Sequence, residues 1–131
     1  MEVFVLGIGI DIIEIERIER AIAKQSSFLD KLFTEYEQSY YHRKGEKAET
    51  IAGFFAAKEA VSKVLGTGIR YTWKDIEIHH TDYGQPSVIL HGEAKKIATD
   101  RGINSVLVSI SHCKTYAVAN AAGVKGDEYV K

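Results

Sequence analysis

The sequence predicts an α+β fold, a largely antiparallel sheet with helices packed on it. Two observations predict it. Apolar residues recur at helical spacing through most of the first half, to Leu65, whereas strand-like alternation and turn residues fill the second half, from Ile76 onward. Helices first and hairpins last read as α+β. A length of 131 residues suits one domain with a modest core.

Each element has a local reason. Val3 to Ile10 is nearly continuous in apolar residues and reads as a buried strand ended by Asp11. Gly7 and Gly9 inside it mark a bulge or the close approach of another backbone or a ligand. Ile12, Ile15, Ile18 and Ile22 return at spacings of three and four, which predicts a helix over about 13–24. Phe28, Leu29 and Leu32 make a short turn or helix. Thr34-Glu35-Tyr36-Glu37 is a capping box that starts another helix, ending near Lys44-Gly45. The longest helix is expected from about Glu46 to Leu65, with Gly66 as its left-handed stop and Gly68 as a second sharp turn. Ile76 to His79 and Ser87 to His91, joined by Tyr83-Gly84-Gln85-Pro86, form a hairpin. A short helix over Glu93 to Thr99 follows. Strands over Val106 to His112 and Tyr116 to Ala121 close the pattern.

Composition excludes several classes. Seventeen basic and 18 acidic residues nearly cancel, so there is no bulk electrostatic case for nucleic acid or membrane. The apolar opening is preceded by Glu2 and interrupted by Asp11, and fits neither a signal peptide nor a bilayer span. Cys113 is the single cysteine, which rules out an internal disulfide and suits a reducing compartment; the cytoplasm is expected.

Charged residues in apolar surroundings carry the chemical signal. Asp11 either caps the following helix or holds a hard cation. Glu59 and Lys63 lie four apart in an otherwise Phe-, Ala- and Val-rich helix. They read either as a surface salt bridge or as two parts of a phosphate site. In the second reading Glu59 joins Asp11 around Mg²⁺ and Lys63 contacts a phosphate. Gly7-x-Gly9 is no dinucleotide fingerprint, because the third glycine is missing and acids occupy the turn. Ser111, His112 and Cys113 form no dyad, since neighbours on a strand face opposite ways; His112 reads as a donor to a phosphate or to backbone. His79, His80 and His91 fit no zinc spacing and read as surface residues. Arg17, Arg20 and Lys24 form a basic stripe, either solvated or a dock for an acidic protein.

The segments Gly7-Ile8-Gly9-Ile10-Asp11-Ile12-Ile13-Glu14-Ile15-Glu16-Arg17-Ile18, Phe55-Ala56-Ala57-Lys58-Glu59-Ala60-Val61-Ser62-Lys63-Val64-Leu65-Gly66-Thr67-Gly68, Tyr83-Gly84-Gln85-Pro86 and Val108-Ser109-Ile110-Ser111-His112 together resemble the holo-[acyl-carrier-protein] synthases. These are the small bacterial type of 4′-phosphopantetheinyl transferase. The resemblance covers roughly Val3 to Ala122. It implies transfer of 4′-phosphopantetheine from coenzyme A to a serine of apo acyl carrier protein, with loss of 3′,5′-ADP, for fatty acid biosynthesis. It implies Mg²⁺ held by Asp11 and Glu59, Lys63 on phosphate, and Gly66 and Gly68 letting backbone approach the ligand. Gln85-Pro86 and His112 would line the nucleotide end, and Arg17, Arg20 and Lys24 would dock the carrier protein. The family pattern has Lys before that proline; Gln85 keeps the turn and removes the charge. The serine proton would pass to a metal-bound water or to a nearby carboxylate. A homotrimer with sites between subunits is also implied. The competing reading is a non-catalytic module binding coenzyme A or a nucleotide. A third is a different Mg²⁺-dependent phosphotransferase or pyrophosphatase.

Overall fold

The computed structural model describes residues 2–66 and 71–126. In chain order it has β1 (Phe4–Glu14), α1 (Ile15–Lys24), α2 (Phe28–Leu32), α3 (Glu35–Arg43) and α4 (Ala48–Leu65). A short 3₁₀ turn (Trp73–Asp75) then leads to β2 (Ile76–His80), β3 (Pro86–Leu90), α5 (Gly92–Asp100), β4 (Ser105–His112) and β5 (Tyr116–Lys125). The expected α+β class is borne out. β1, β5 and β4 form one antiparallel sheet in that order, and β2 with β3 forms a separate hairpin.

α4 packs on all three strands of the larger sheet, and small residues let it come close. Gly53 approaches Ile110 of β4, Ala60 approaches Gly9 of β1, and Ala56 and Ala57 lie in the same core as Ala117, Ala119 and Ala121 of β5. A Cβ on Gly9 would overlap the Ala60 carbonyl oxygen, and one on Gly7 would stand 3.1 Å from the Val64 carbonyl oxygen. The glycines are therefore required by backbone-to-backbone approach. The expected bulge is also present, as a register shift between Val5 and Gly7.

β1 itself departs from expectation in two ways. Asp11 does not end the strand; it stands inside it, opposite Ala119. Nor is the strand buried on both faces. Gly7, Gly9, Asp11 and Ile13 turn toward α4, while Ile8, Ile10 and Ile12 are 76%, 62% and 61% exposed. The cause is the tight helix contact, which leaves no room for branched side chains inside. α1 starts at Ile15, two residues later than expected, and its N-cap is Glu14, without a side-chain cap bond. The capping role considered for Asp11 is thus overturned.

Other local signals held. Thr34 Oγ1 accepts from Glu37 N at 3.2 Å and Glu37 Oε1 accepts from Thr34 N at 2.9 Å, closing the capping box. Gly66 ends α4 in the left-handed region, at φ 79°. β5 runs on to Lys125, beyond the expected Ala121. The core is one cluster in which Phe33, Phe54, Ile51, Leu65, Ile76 and Ile78 are almost wholly buried. Each such side chain contributes roughly 1.5–3 kcal/mol through removal from water.

Candidate functional site

The β1–α4 contact brings three of the expected residues together. Asp11 lies on the glycine face of β1, two residues beyond Gly9, and so points at α4. Glu59 and Lys63 meet it from successive turns of that helix. Lys63 Nζ donates to the Ile10 carbonyl at 2.7 Å and lies 3.7 Å from Asp11 Oδ1. The salt bridge of Lys63 with Glu59, one of the two readings of the sequence, is not the one formed; among the described residues the ion-pair partner of Lys63 is Asp11. The reason is that β1, an edge strand, offers both a carbonyl and a carboxylate within reach of the lysine.

Electrostatics mark this cluster as incompletely neutralised. Burial raises the Asp11 carboxyl above its ordinary value, against the pull of Lys63. Burial and then the negative charge of Asp11 raise Glu59, again against Lys63. Two half-buried carboxylates thus share one lysine that is itself 54% exposed. Alongside, Lys63, Ile8, Ile10, Leu107 and Asn120 border an open cavity of about 560 Å³ on the outer side of the sheet.

Pro86 and His112 are brought together elsewhere. They line a second cavity of about 300 Å³ with Tyr40, Gly53, Phe54 and His80. A further cavity, of about 470 Å³, shares Tyr40, His80 and Gly84 and adds Arg43 and Lys44. Both cations lie over the Tyr40 ring, 5.5 and 5.6 Å from its centroid. Sequence reasoning missed Arg43 and Lys44; the available signal was a basic pair at the end of a helix carrying Tyr36 and Tyr40 four apart. Gly66 stands apart from these three cavities, against Arg101, whose guanidinium donates to the Leu65 carbonyl. Gly68 lies outside the described residues.

The hairpin histidines need correction. His79 and His80 are half-buried rather than surface residues, stacked on Tyr36 at 3.7 Å and on Tyr40 at 4.1 Å between centroids. His91 is exposed as expected. Burial disfavours the Glu77 charge, but Thr34, His91 at 3.0 Å and His79 at 3.1 Å beside it outweigh burial and bring the carboxyl down to about 2. Arg17, Arg20 and Lys24 are all exposed along α1.

The charge that α4 does bury is Lys58, which sequence reasoning passed over. Its side chain and that of Glu37 are both fully buried, and they pair at 2.9 Å. Burial pushes the Lys58 ammonium below its ordinary value, against the pull of Glu37. Nothing local foretold the pair, because its partners are 21 positions apart (58 − 37) on different helices.

Comparison with known proteins agrees with this geometry. Residues 7–121 match the 4′-phosphopantetheinyl transferase superfamily. A holo-[acyl-carrier-protein] synthase from Thermoanaerobacter sp. (strain X514) is 52% identical over 129 residues, covering 98% of this chain and 91% of that protein. The crystal structure of a holo-ACP-synthase from Plasmodium yoelii superposes with a TM-score of 0.85 at 35% identity, over 96% of this chain and 99% of the other. A holo-(acyl-carrier-protein) synthase from Bacillus anthracis, solved in complex with CoA (3′,5′-ADP), superposes with a TM-score of 0.76 at 40% identity, over 93% and 98% of the two chains. With this likeness running the length of the fold, and through the strand and helix that carry Asp11, Glu59 and Lys63, the chain belongs to the 4′-phosphopantetheinyl transferase superfamily, among its holo-[acyl-carrier-protein] synthase enzymes.

Proposed function

We propose that this enzyme moves the 4′-phosphopantetheine group of coenzyme A onto a serine of apo acyl carrier protein and releases 3′,5′-ADP, in fatty acid biosynthesis in the cytoplasm. The observation that carries the reading is the meeting of Asp11, Glu59 and Lys63 across the β1–α4 contact. The complex of the Bacillus anthracis relative with CoA (3′,5′-ADP) supports the ligand class. The single cysteine supports a reducing compartment.

The donor set fits Mg²⁺. Two hard carboxylates stand close enough for the charge of Asp11 to raise Glu59, a repulsion that a divalent cation relieves. Mg²⁺ takes one or two carboxylates and completes its shell with waters and substrate phosphates. When bound, the ion would supply charge neutralisation on the pyrophosphate as its bond breaks. The remaining work falls to the chain. Phosphoryl transfer needs positioning and charge stabilisation more than covalent help. Lys63, half-exposed and held beside Asp11 by the Ile10 carbonyl, is the cation placed to meet a phosphate oxygen. Tyr40, His80 and Pro86 offer ring faces and a rigid turn for the nucleotide, with His112 at the same cavity and Arg43 and Lys44 supplying charge beside it. Gly66, and Gly68 by the same family likeness, would let backbone approach the ligand.

Arg17, Arg20 and Lys24 are proposed as the dock for the acidic carrier protein. α1 begins directly after the strand bearing Asp11, so a partner seated there has its serine near the carboxylates. A homotrimer is proposed as the assembly, on the outward apolar face of β1, where Ile8, Ile10 and Ile12 are left to solvent in one chain. The test is to mix the protein with apo carrier protein, coenzyme A and Mg²⁺ and to weigh the carrier by mass spectrometry. A gain of the phosphopantetheine mass, lost on adding EDTA, is expected. No gain at any enzyme level would overturn the reading, and a monomer in sedimentation would remove the trimer.

A further inference from the structure

Lys58 precedes Glu59 on α4 and faces another way. Its ammonium has three N–H donors, and each has a partner: Glu37 Oε1 at 2.9 Å, the Trp73 carbonyl at 2.9 Å and the Ile76 carbonyl at 2.6 Å. Glu37 accepts in turn from Thr34 N at 2.9 Å and from Ile78 N at 2.7 Å. One dry ion pair thus joins the start of α3, the middle of α4, the 3₁₀ turn and β2.

The hairpin depends on such ties. β2 and β3 form a sheet of their own, and among the described residues no backbone ladder joins it to the sheet that carries Asp11. Among the described residues, the hydrogen bonds from α4 to residues 73–90 are the two that Lys58 makes. The other ties from α4 are ring and apolar contacts, such as Phe55 stacked on Trp73 at 5.6 Å, which hold less direction than a hydrogen bond. Yet the hairpin carries His80 and Pro86, which face Gly53 and Phe54 of α4 across one cavity.

We propose that Glu37 and Lys58 are positioning residues for the transfer: through the backbone at Trp73, Ile76 and Ile78 they fix the hairpin's side of the cavity, His80 and Pro86, against the side that α4 supplies, Gly53 and Phe54, so that the nucleotide end keeps one shape. The inference rests on the transferase reading of that cavity. Neither side chain touches substrate. A pair that served stability alone would be replaceable, because a buried ion pair often gives way to neutral side chains without loss once both charges go together. A pair that positions is not replaceable in that way, because methionine cannot donate to the Trp73 and Ile76 carbonyls.

The experiment compares Lys58→Met and the double variant Glu37→Gln/Lys58→Met with the parent, at a temperature where circular dichroism shows all three folded. The double variant is expected to melt nearer the parent than Lys58→Met does, because no lone charge is left in the core. Both variants are nonetheless expected to raise KM for coenzyme A, and Kd for 3′,5′-ADP by calorimetry, roughly 10- to 100-fold. KM for apo carrier protein should change far less. A folded double variant that binds 3′,5′-ADP like the parent, or shifts both KM values together, overturns the proposal. Should the Lys58 variants not fold, Glu37→Gln keeps both carbonyl bonds of Lys58 and is expected to shift the coenzyme A constants alone, by a smaller factor; no shift overturns the proposal equally. A parent that neither binds 3′,5′-ADP nor modifies carrier protein removes the transferase reading itself, and the inference with it, before any variant is made.

Discussion

Two charged clusters hang from neighbouring positions on α4, and they differ in every physical respect. At Lys58 the lysine and Glu37 are dry, opposite in sign and fully hydrogen-bonded. At Glu59 two carboxylates face each other across a single half-exposed lysine, and burial raises both. The first arrangement is complete without any ligand. The second is left with an excess of negative charge that a cation would offset. Charge inside an apolar helix therefore has two meanings. Where every donor has its acceptor it organises the fold, and where like charges are left together it marks chemistry.

The largest test of that contrast is Glu59→Gln. Turnover in the mass-shift assay is expected to fall roughly 100- to 1,000-fold, the scale of one lost electrostatic contact in a preorganised site. Stability should move the other way. Because the folded-state Glu59 carboxyl is raised above 4.5, its ionised form costs folding energy at neutral pH. The variant should then melt at the same or a higher temperature near pH 7, and the advantage should vanish as pH falls below 4.5. Retained turnover would break the comparison. Lys58→Met tests the other side. It leaves Glu37 alone in the core and should cost about 3–5 kcal/mol in denaturant titration; a cost below about 1 kcal/mol would mean that the pair is no more than a surface-like bridge.

A milder effect sharpens the site. The raised carboxyls should make protons compete with Mg²⁺ at higher pH than for ordinary carboxylates. Calorimetric Mg²⁺ affinity in the presence of coenzyme A should weaken as pH falls from neutral toward the carboxylate range, and Glu59→Gln should flatten that dependence. The smallest expected change is in Arg17→Ala. An exposed cation should raise KM for carrier protein about two- to fivefold and leave the melting temperature and KM for coenzyme A unchanged. A shift in the coenzyme A constant alone would remove α1 as the dock.

What was legible in the sequence was what depends on near neighbours. The Thr34 capping box and the Gly66 stop need only three or four residues each, and both are in place. Asp11, Glu59 and Lys63 stood out as charges in apolar runs, and their shared pattern named the family. Which lysine of α4 would be buried was not legible. Lys58 and Lys63 sit in similar surroundings in the sequence, and their partners come from α3 and β1, far along the chain. The burial of β1 was misread for a related reason. Its alternation is glycine against isoleucine, and hydrophobicity alone turns the isoleucines inward. Only the nearness of the Ala60 carbonyl makes the glycine face the inner one.

The pairing of β1 with β5 has a consequence in time. Gly9 lies opposite Ala121, so nearly the whole chain separates two strands that hydrogen-bond to each other. Closing so long a loop comes late and slowly, as for other folds rich in distant contacts. Asp11 rides on the earlier strand, and its seat against α4 is fixed when the later strand zips alongside. During synthesis the Asp11 strand emerges well before β5 and waits for it; in refolding, recovery of β-sheet signal and recovery of turnover should share one rate.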